Sequence, residues 1–237
     1  MKTNKFASAL CGALLMSGAV ATQVQAAEVS ANVTLASDYR FRGISQLDGE
    51  ISPAIQGGFD LALDSGLYAG TWASNVNFNA GGALELDLYA GWAGTLGDSV
   101  DLDVGFIWFD YPNDKGADLD YWEIYASIGV LGGTLGVNYA DDYFAETGEF
   151  WYVYGDYSIP LGETFSLDLH LGYNMFDEEA FLFEEDAYLD YSAGVSASFF
   201  DLDWSLAYVG VDIGEKECFG TKDICDDTVV LSVSKSM

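Results

Sequence analysis

Basic residues are scarce in this chain: eight Lys and Arg stand against 38 Asp and Glu, a formal charge of −30. So acidic a surface repels phosphate backbones, which excludes nucleic acid as a partner. Histidine occurs once, as His170, and the sequence holds no zinc, P-loop or dinucleotide signature. No cofactor, metal or catalytic site is expected. Proline is limited to Pro53, Pro112 and Pro160; all three fall at the strand ends or turns read below, where a missing N–H leaves a ladder intact. Past residue 26 no apolar run reaches the length of a transmembrane helix. A membrane location would therefore require a closed barrel.

Lys2 and Lys5 precede an apolar run from Phe6 to Val20, and Val24-Gln25-Ala26 has the small residues of a cleavage site. Residues 1–26 read as a secretory signal peptide, with one domain over 27–237. Losing Lys2 and Lys5 leaves six basic residues against 38 acidic ones. Cys11 leaves with the leader. Cys218 and Cys225, close in sequence and exported, are expected to close a small loop as a disulfide.

What the chain has is alternation. Val29, Ala31, Val33, Leu35, Tyr39 and Phe41 share one parity, and Ser30, Asn32, Thr34, Asp38, Arg40 and Arg42 the other. That pattern reads as a long strand with an apolar and a polar face. It recurs: Leu84, Leu86, Leu88 and Trp92 oppose Glu85, Asp87 and Tyr89, and Val104, Phe106 and Trp108 oppose Asp101 and Asp103. Turn signals cut the chain into twelve strands, at 29–42, 53–63, 67–78, 83–94, 100–109, 119–130, 134–139, 149–159, 165–175, 187–198, 202–211 and 228–236. Short turns alternate with long polar loops throughout.

A soluble sandwich also alternates, so three further features decide the class. The strand count is even, with short turns on one side and long loops on the other. Trp92, Trp108, Trp122, Trp151 and Trp204 fall on the apolar parity near strand ends, as an aromatic girdle would. Both chain ends fall on the short-turn side. The fold expected is all-β, a twelve-stranded antiparallel transmembrane β-barrel in the outer membrane of a Gram-negative bacterium, with both termini periplasmic.

The blocks Ser37-Asp-Tyr-Arg-Phe-Arg-Gly-Ile-Ser-Gln46, Gln56-Gly-Gly-Phe59, Gly70-Thr-Trp-Ala-Ser-Asn-Val76 and Glu85-Leu-Asp-Leu-Tyr89 carry a family resemblance. It continues through Glu123-Ile-Tyr125 and the cysteine pair to Val230-Leu-Ser-Val-Ser-Lys235. The chain resembles the TorF family of proteobacterial outer-membrane proteins, also labelled Gcw_chp, over all of 27–237. The resemblance implies a porin and supplies neither a substrate nor functional residues.

The function expected is passive diffusion of small hydrophilic solutes, cationic or neutral, with membrane lipid and lipopolysaccharide as surroundings. The polar parity supplies the lumen residues expected: Asp38, Arg40, Arg42, Glu85, Asp87, Tyr89, Asp101, Asp103, Asp120, Glu123, Tyr125, Tyr152, Tyr154, Asp168, His170 and Asp203. A twelve-stranded lumen is narrow, and its tyrosines, Tyr121 among them, are expected to narrow it further. Arg40 and Arg42 are expected on one wall of the pore, facing Glu123 and Asp120 on the other. Alternatives are a non-conducting structural barrel and a lipid hydrolase built on His170. The acidic loop 177–186 reads as a solvated loop, with divalent-cation bridging to lipopolysaccharide as a second reading.

Overall fold

A computed structural model describes residues 27–47, 52–78, 82–97, 99–112, 115–177, 182, 185–214, 216–218 and 223–237. The proposed leader, 1–26, lies outside the described residues, and so does most of the acidic loop 177–186.

The strands are β1 (Glu28–Ala36), β2 (Arg40–Phe41), β3 (Ile44–Ser45), β4 (Ala54–Ala62), β5 (Leu67–Asn75), β6 (Leu84–Leu96), β7 (Val100–Asp110), β8 (Tyr121–Val130), β9 (Gly133–Ala140), β10 (Phe150–Leu161), β11 (Phe165–Phe176), β12 (Ala187–Phe199), β13 (Leu202–Val211) and β14 (Thr228–Ser236). β1 and β4 to β14 form a closed barrel of twelve strands, each antiparallel to its neighbours. Closure is made where β1 pairs with β14, Leu35 opposite Val233, and on its other side with β4, Leu35 opposite Ile55. β1 begins and β14 ends at the short-turn end, where Ala31 and Met237 exchange backbone hydrogen bonds of 3.0 and 2.9 Å.

Parity assigns the faces. Leu35, Phe59, Leu88, Leu135, Leu171 and Leu206 point outward and are exposed on six different strands; Phe59 is 66% and Leu171 55% exposed. An apolar belt around a whole barrel far exceeds the patch a soluble monomer shows and matches the lipid face of a membrane barrel. All five tryptophans named above lie on this outward parity, Trp92 and Trp204 toward the short-turn end and Trp108, Trp122 and Trp151 toward the long-loop end. Trp92 donates its indole N–H to the Ser65 carbonyl at 3.0 Å, and Trp151 to Glu149 at 3.1 Å, so each ring keeps a polar tip at a strand end.

The first strand departs from its expected course. Strand β1 ends at Ala36, Ser37 makes a last exchange with Leu231 of β14, and the chain turns into the barrel as a small hairpin of β2 and β3, with Arg40 opposite Ser45 and Phe41 opposite Ile44. Tyr39 is consequently buried, 4% exposed, and not on the lipid face. The alternation that runs through residue 42 belongs to two different elements: outside to lipid in the first, inside to the lumen in the second. At the hairpin tip Arg42 has φ +48° and Gly43 φ +82°. Two successive left-handed residues are what a tight two-residue hairpin turn requires. Glycine takes that shape freely and arginine does so at a cost of about 1 kcal/mol.

Inside the wall, tyrosines lie over glycines. A Cβ on Gly91 would overlap the ring of Tyr68, and the same holds for Gly70 under Tyr89, Gly105 under Tyr125, Gly136 under Tyr154 and Gly172 under Tyr152. The rings lie against glycines of neighbouring strands, so these tyrosines sit along the wall. Gly136→Ala should therefore push Tyr154 off its seat at a cost of about 1–3 kcal/mol, read from denaturant unfolding in detergent.

Candidate functional site

Among the described residues, every charged side chain that the barrel strands turn inward is acidic, apart from the single histidine. Asp60 on β4, Glu85 and Asp87 on β6, Asp101 and Asp103 on β7, Glu123 on β8, Asp156 on β10, Asp168 on β11, Asp190 on β12 and Asp203 on β13 all share the inward parity. The two interior arginines come from the hairpin.

The long-loop half of the lumen is filled. Tyr39, Ile44 and Leu47 from the hairpin segment, Tyr111 and Tyr143 from long loops, and Leu182 pack with Phe109, Tyr121, Phe150 and Phe176 from the wall, all buried. Phe109 stacks on Tyr121 with centroids 4.4 Å apart, and Tyr143 on Phe150 at 4.1 Å. Burial pushes the Tyr143 hydroxyl up to about 12, which keeps it neutral.

Arg42 crosses this half. Its guanidinium donates two hydrogen bonds to Glu123, 2.8 and 2.7 Å, and lies 4.4 to 4.6 Å from the centroids of Phe41, Phe150 and Tyr152. Arg42 is 6% exposed and Glu123 0%. Burial alone would lower the Arg42 pKa; the Glu123 carboxylate more than reverses this and holds it above the ordinary guanidinium range. Glu123 also accepts from the Asn138 amide at 2.8 Å, and the Arg42 carbonyl from the Tyr188 hydroxyl at 3.1 Å. The expected separation of arginine and acid across an open pore is thus replaced by direct pairing, because the hairpin carries Arg42 to the far wall.

Arg40 is bound differently. Its Nε donates to Asp38 at 2.5 Å, and its Nη1 reaches the carbonyls of Gly43, Ile224 and Asp226. Ser45 adds a hydrogen bond to Asp38 at 2.8 Å and its backbone N–H one to the Ile224 carbonyl, also 2.8 Å. The hairpin is thereby fastened to the loop before β14. Cys218 and Cys225 of that loop form the expected disulfide, with Cα atoms 6.1 Å apart, and both are buried. Replacing both by serine should cost about 2–3 kcal/mol, read as a lower melting temperature than the oxidised parent.

Glu85 accepts hydroxyl hydrogen bonds from Tyr39 at 2.6 Å and Tyr111 at 2.8 Å. Asp87, 4% exposed, leaves its Oδ1 buried with no protein partner, as does the Asn174 Oδ1 on β11. Asp120 is a correction: it lies on the outward parity of β8, exposed, and accepts from the Tyr111 backbone N–H at 2.7 Å. Glu123 takes the inward place three residues on.

The short-turn half carries a network of tyrosine, serine and carboxylate. Tyr68 donates to Asp103 at 2.5 Å and meets the Tyr125 hydroxyl; Tyr89 donates to Asp60. Asp168 accepts from Ser158 and Ser196, both at 2.6 Å, and Asp101 from Thr95 at 2.8 Å. Asp203, exposed near the short-turn rim, accepts from Ser198 at 2.5 Å. Tyr154 stacks on Tyr152 at 5.3 Å.

His170 bridges two carboxylates, Nδ1 to Asp156 at 2.6 Å and Nε2 to Asp190 at 2.9 Å, with the Tyr152 hydroxyl also 2.9 Å from Nε2. A serine nucleophile would need Nε2 turned to its hydroxyl, and Nε2 here faces Asp190 and Tyr152. Asp60, Asp156 and Asp190 are absent from the sequence-based lumen set. Their inward parity, the same as that of Gln56, Tyr154 and Tyr188, was the signal available.

Comparison with solved structures gives a KdgM porin at TM-score 0.58 with 7% identity, covering 88% of this chain and 99% of that one. A NanC porin in a rhombohedral crystal form gives 0.54 with 8% identity, covering 87% and 98%. A KdgM porin in complex with disordered oligogalacturonate gives 0.56 with 6% identity, covering 88% and 98%. At such identities the likeness is one of fold. No curated protein matches the chain. A family model described as a bacterial protein of unknown function, Gcw_chp, matches residues 20–237. Its description carries neither the TorF label nor a porin activity, and the chain belongs to the Gcw_chp family.

Proposed function

We propose that this chain is a porin-like channel in the outer membrane of a Gram-negative bacterium, passing small hydrophilic solutes that are cationic or neutral. The observation that carries this reading is the sign of the wall: its inward-facing charges are Asp and Glu apart from His170, and among the described barrel-strand residues no Lys or Arg faces inward, Lys235 on β14 having the outward parity of Val229 and Leu231. Arg40 and Arg42 do not offset it, since each is already spent on an acid, Asp38 or Glu123. At ~0.1 M salt the Debye length is about 10 Å, comparable with a narrow lumen, so fixed carboxylates act on any ion inside. The fold likeness to porins supports the channel class. The oligogalacturonate held by one KdgM structure is a polyanion, and an acidic wall disfavours a solute of that kind here.

The long-loop end is taken as external and the short-turn end as periplasmic, as in barrels of this class. Asp101, Asp103 and Asp203 stand in the periplasmic half of the lumen. Changing all three to Asn should move the cation-to-anion permeability ratio toward unity, to roughly half its starting value. Reversal potentials across a planar bilayer under a salt gradient read this directly. An anion-selective parent, or a ratio unmoved by the triple change, overturns the assignment.

One observation favours a second reading, a barrel that does not conduct. The external half is packed with side chains and includes Phe150, Glu123 and Asn174 at 0% exposure.

A further inference from the structure

We propose that residues 37–47 are a plug that leaves the external half of the lumen as a unit, with the Arg42–Glu123 pair as its latch. This rests on the channel reading and adds its regulation.

The barrel wall does not need the plug. β1 pairs directly with β14 and β4, and the hairpin contributes two residue pairs of its own and none to the wall. Single hydrogen bonds tie it to several places: the Ser37 N–H to the Leu231 carbonyl on β14, Tyr39 to Glu85 on β6, the Asn77 N–H to the Gln46 carbonyl and Tyr188 on β12 to the Arg42 carbonyl. Its two arginine-borne fastenings lie on two sides. At one side the hairpin continues from β1 and is tied through Arg40 and Ser45 to the carbonyls of Ile224 and Asp226, just before β14. At the other, Arg42 reaches Glu123 on β8, five strands round the barrel from β1 and so on the far wall. Arg42–Glu123 is, among the described residues, the ion pair that joins the segment to a barrel strand, and it stands opposite the β1–β14 seam: a hinge beside the seam and a catch opposite.

The wall behind the plug is mixed, with buried polar groups set among Phe109, Tyr121, Phe150 and Phe176. Glu85, Asp87, Glu123, Asn174 and Asp190 line it, where a permanently sealed core would carry apolar side chains. Two of their oxygens, on Asp87 and Asn174, are buried without a protein partner while the plug is seated. Unsatisfied buried acceptors are costly, and opening would hydrate both. A buried ion pair resists the loss of either partner far more than it stabilises against an apolar substitute, which suits a catch.

The test reads plug position without relying on current. Ile44 is 5% exposed in the hairpin, and the two native cysteines of the folded domain are joined in the disulfide. Ile44→Cys is prepared alone and with Glu123→Gln, and each is treated in vesicles with a membrane-impermeant methanethiosulfonate reagent. Modification should be roughly tenfold faster or more with the latch removed, and single-channel open probability should rise in Glu123→Gln alone. Equal labelling rates overturn the latch. Faster labelling with no current in either protein overturns the channel reading instead. If Ile44→Cys does not assemble, Ser45→Cys in the same hairpin is labelled under the same comparison.

Discussion

Replacing Asp190 by alanine should destabilise the barrel by about 2–4 kcal/mol. Asp190 is fully buried on β12, and three polar side chains converge on it. Its Oδ1 faces the His170 Nε2 at 2.9 Å and the Tyr152 hydroxyl at 3.2 Å, while Oδ2 takes the Asn174 amide at 2.7 Å. Truncation would strand these groups between β10 and β12 where the outer packing meets the inner network. Losing one hydrogen bond costs about 1 kcal/mol; leaving buried polar groups unpaired is what raises the figure. Asp190→Asn keeps an acceptor for His170 and should cost less than half as much. Urea unfolding of protein refolded into vesicles measures both, and equal midpoints for parent and Asp190→Ala contradict the hub role.

The second large effect belongs to the outside. Leu171 lies mid-strand on β11, 55% exposed, opposite Gly155 on β10 and Tyr191 on β12. Leu171→Arg places a guanidinium in hydrocarbon and should cost ~2–4 kcal/mol, whereas Asp103→Asn on the lumen face should assemble normally. Heat-modifiable migration and vesicle refolding yield separate the two. Equal assembly of both variants would mean that the exposed apolar belt is not a lipid face.

Most of the wall was legible because a membrane barrel states its two-faced environment residue by residue. β13 and β14 have the bounds the alternation gives, and β6 and β11 differ from it by one or two residues. The turn at Leu131-Gly132, both left-handed, and the alternation of short and long connections fix strand number and direction. Where alternation misleads, the reason is that it reports only two environments and not which surface supplies them. Tyr39 and Phe41 look like further lipid-facing residues of the first strand; they are apolar because they pack inside a lumen. Period two cannot register that the chain has left the wall at Ala36. The pairing of Arg42 with Glu123, 81 residues away, and the inward packing of Tyr111 and Tyr143 come from loops and carry no periodic signal at all. Asp60, Asp156 and Asp190 did carry it, on strands whose parity was already plain.

A channel whose acidic wall sets its selectivity should announce itself electrically. Single-channel recording of the heat-modifiable, disulfide-intact protein in planar bilayers, under a tenfold salt gradient, should show discrete openings with a reversal potential displaced toward that of the cation. Protein of the same folded state that never conducts at any applied voltage would contradict the channel, and openings that reverse toward the anion potential would contradict the role of its carboxylate wall.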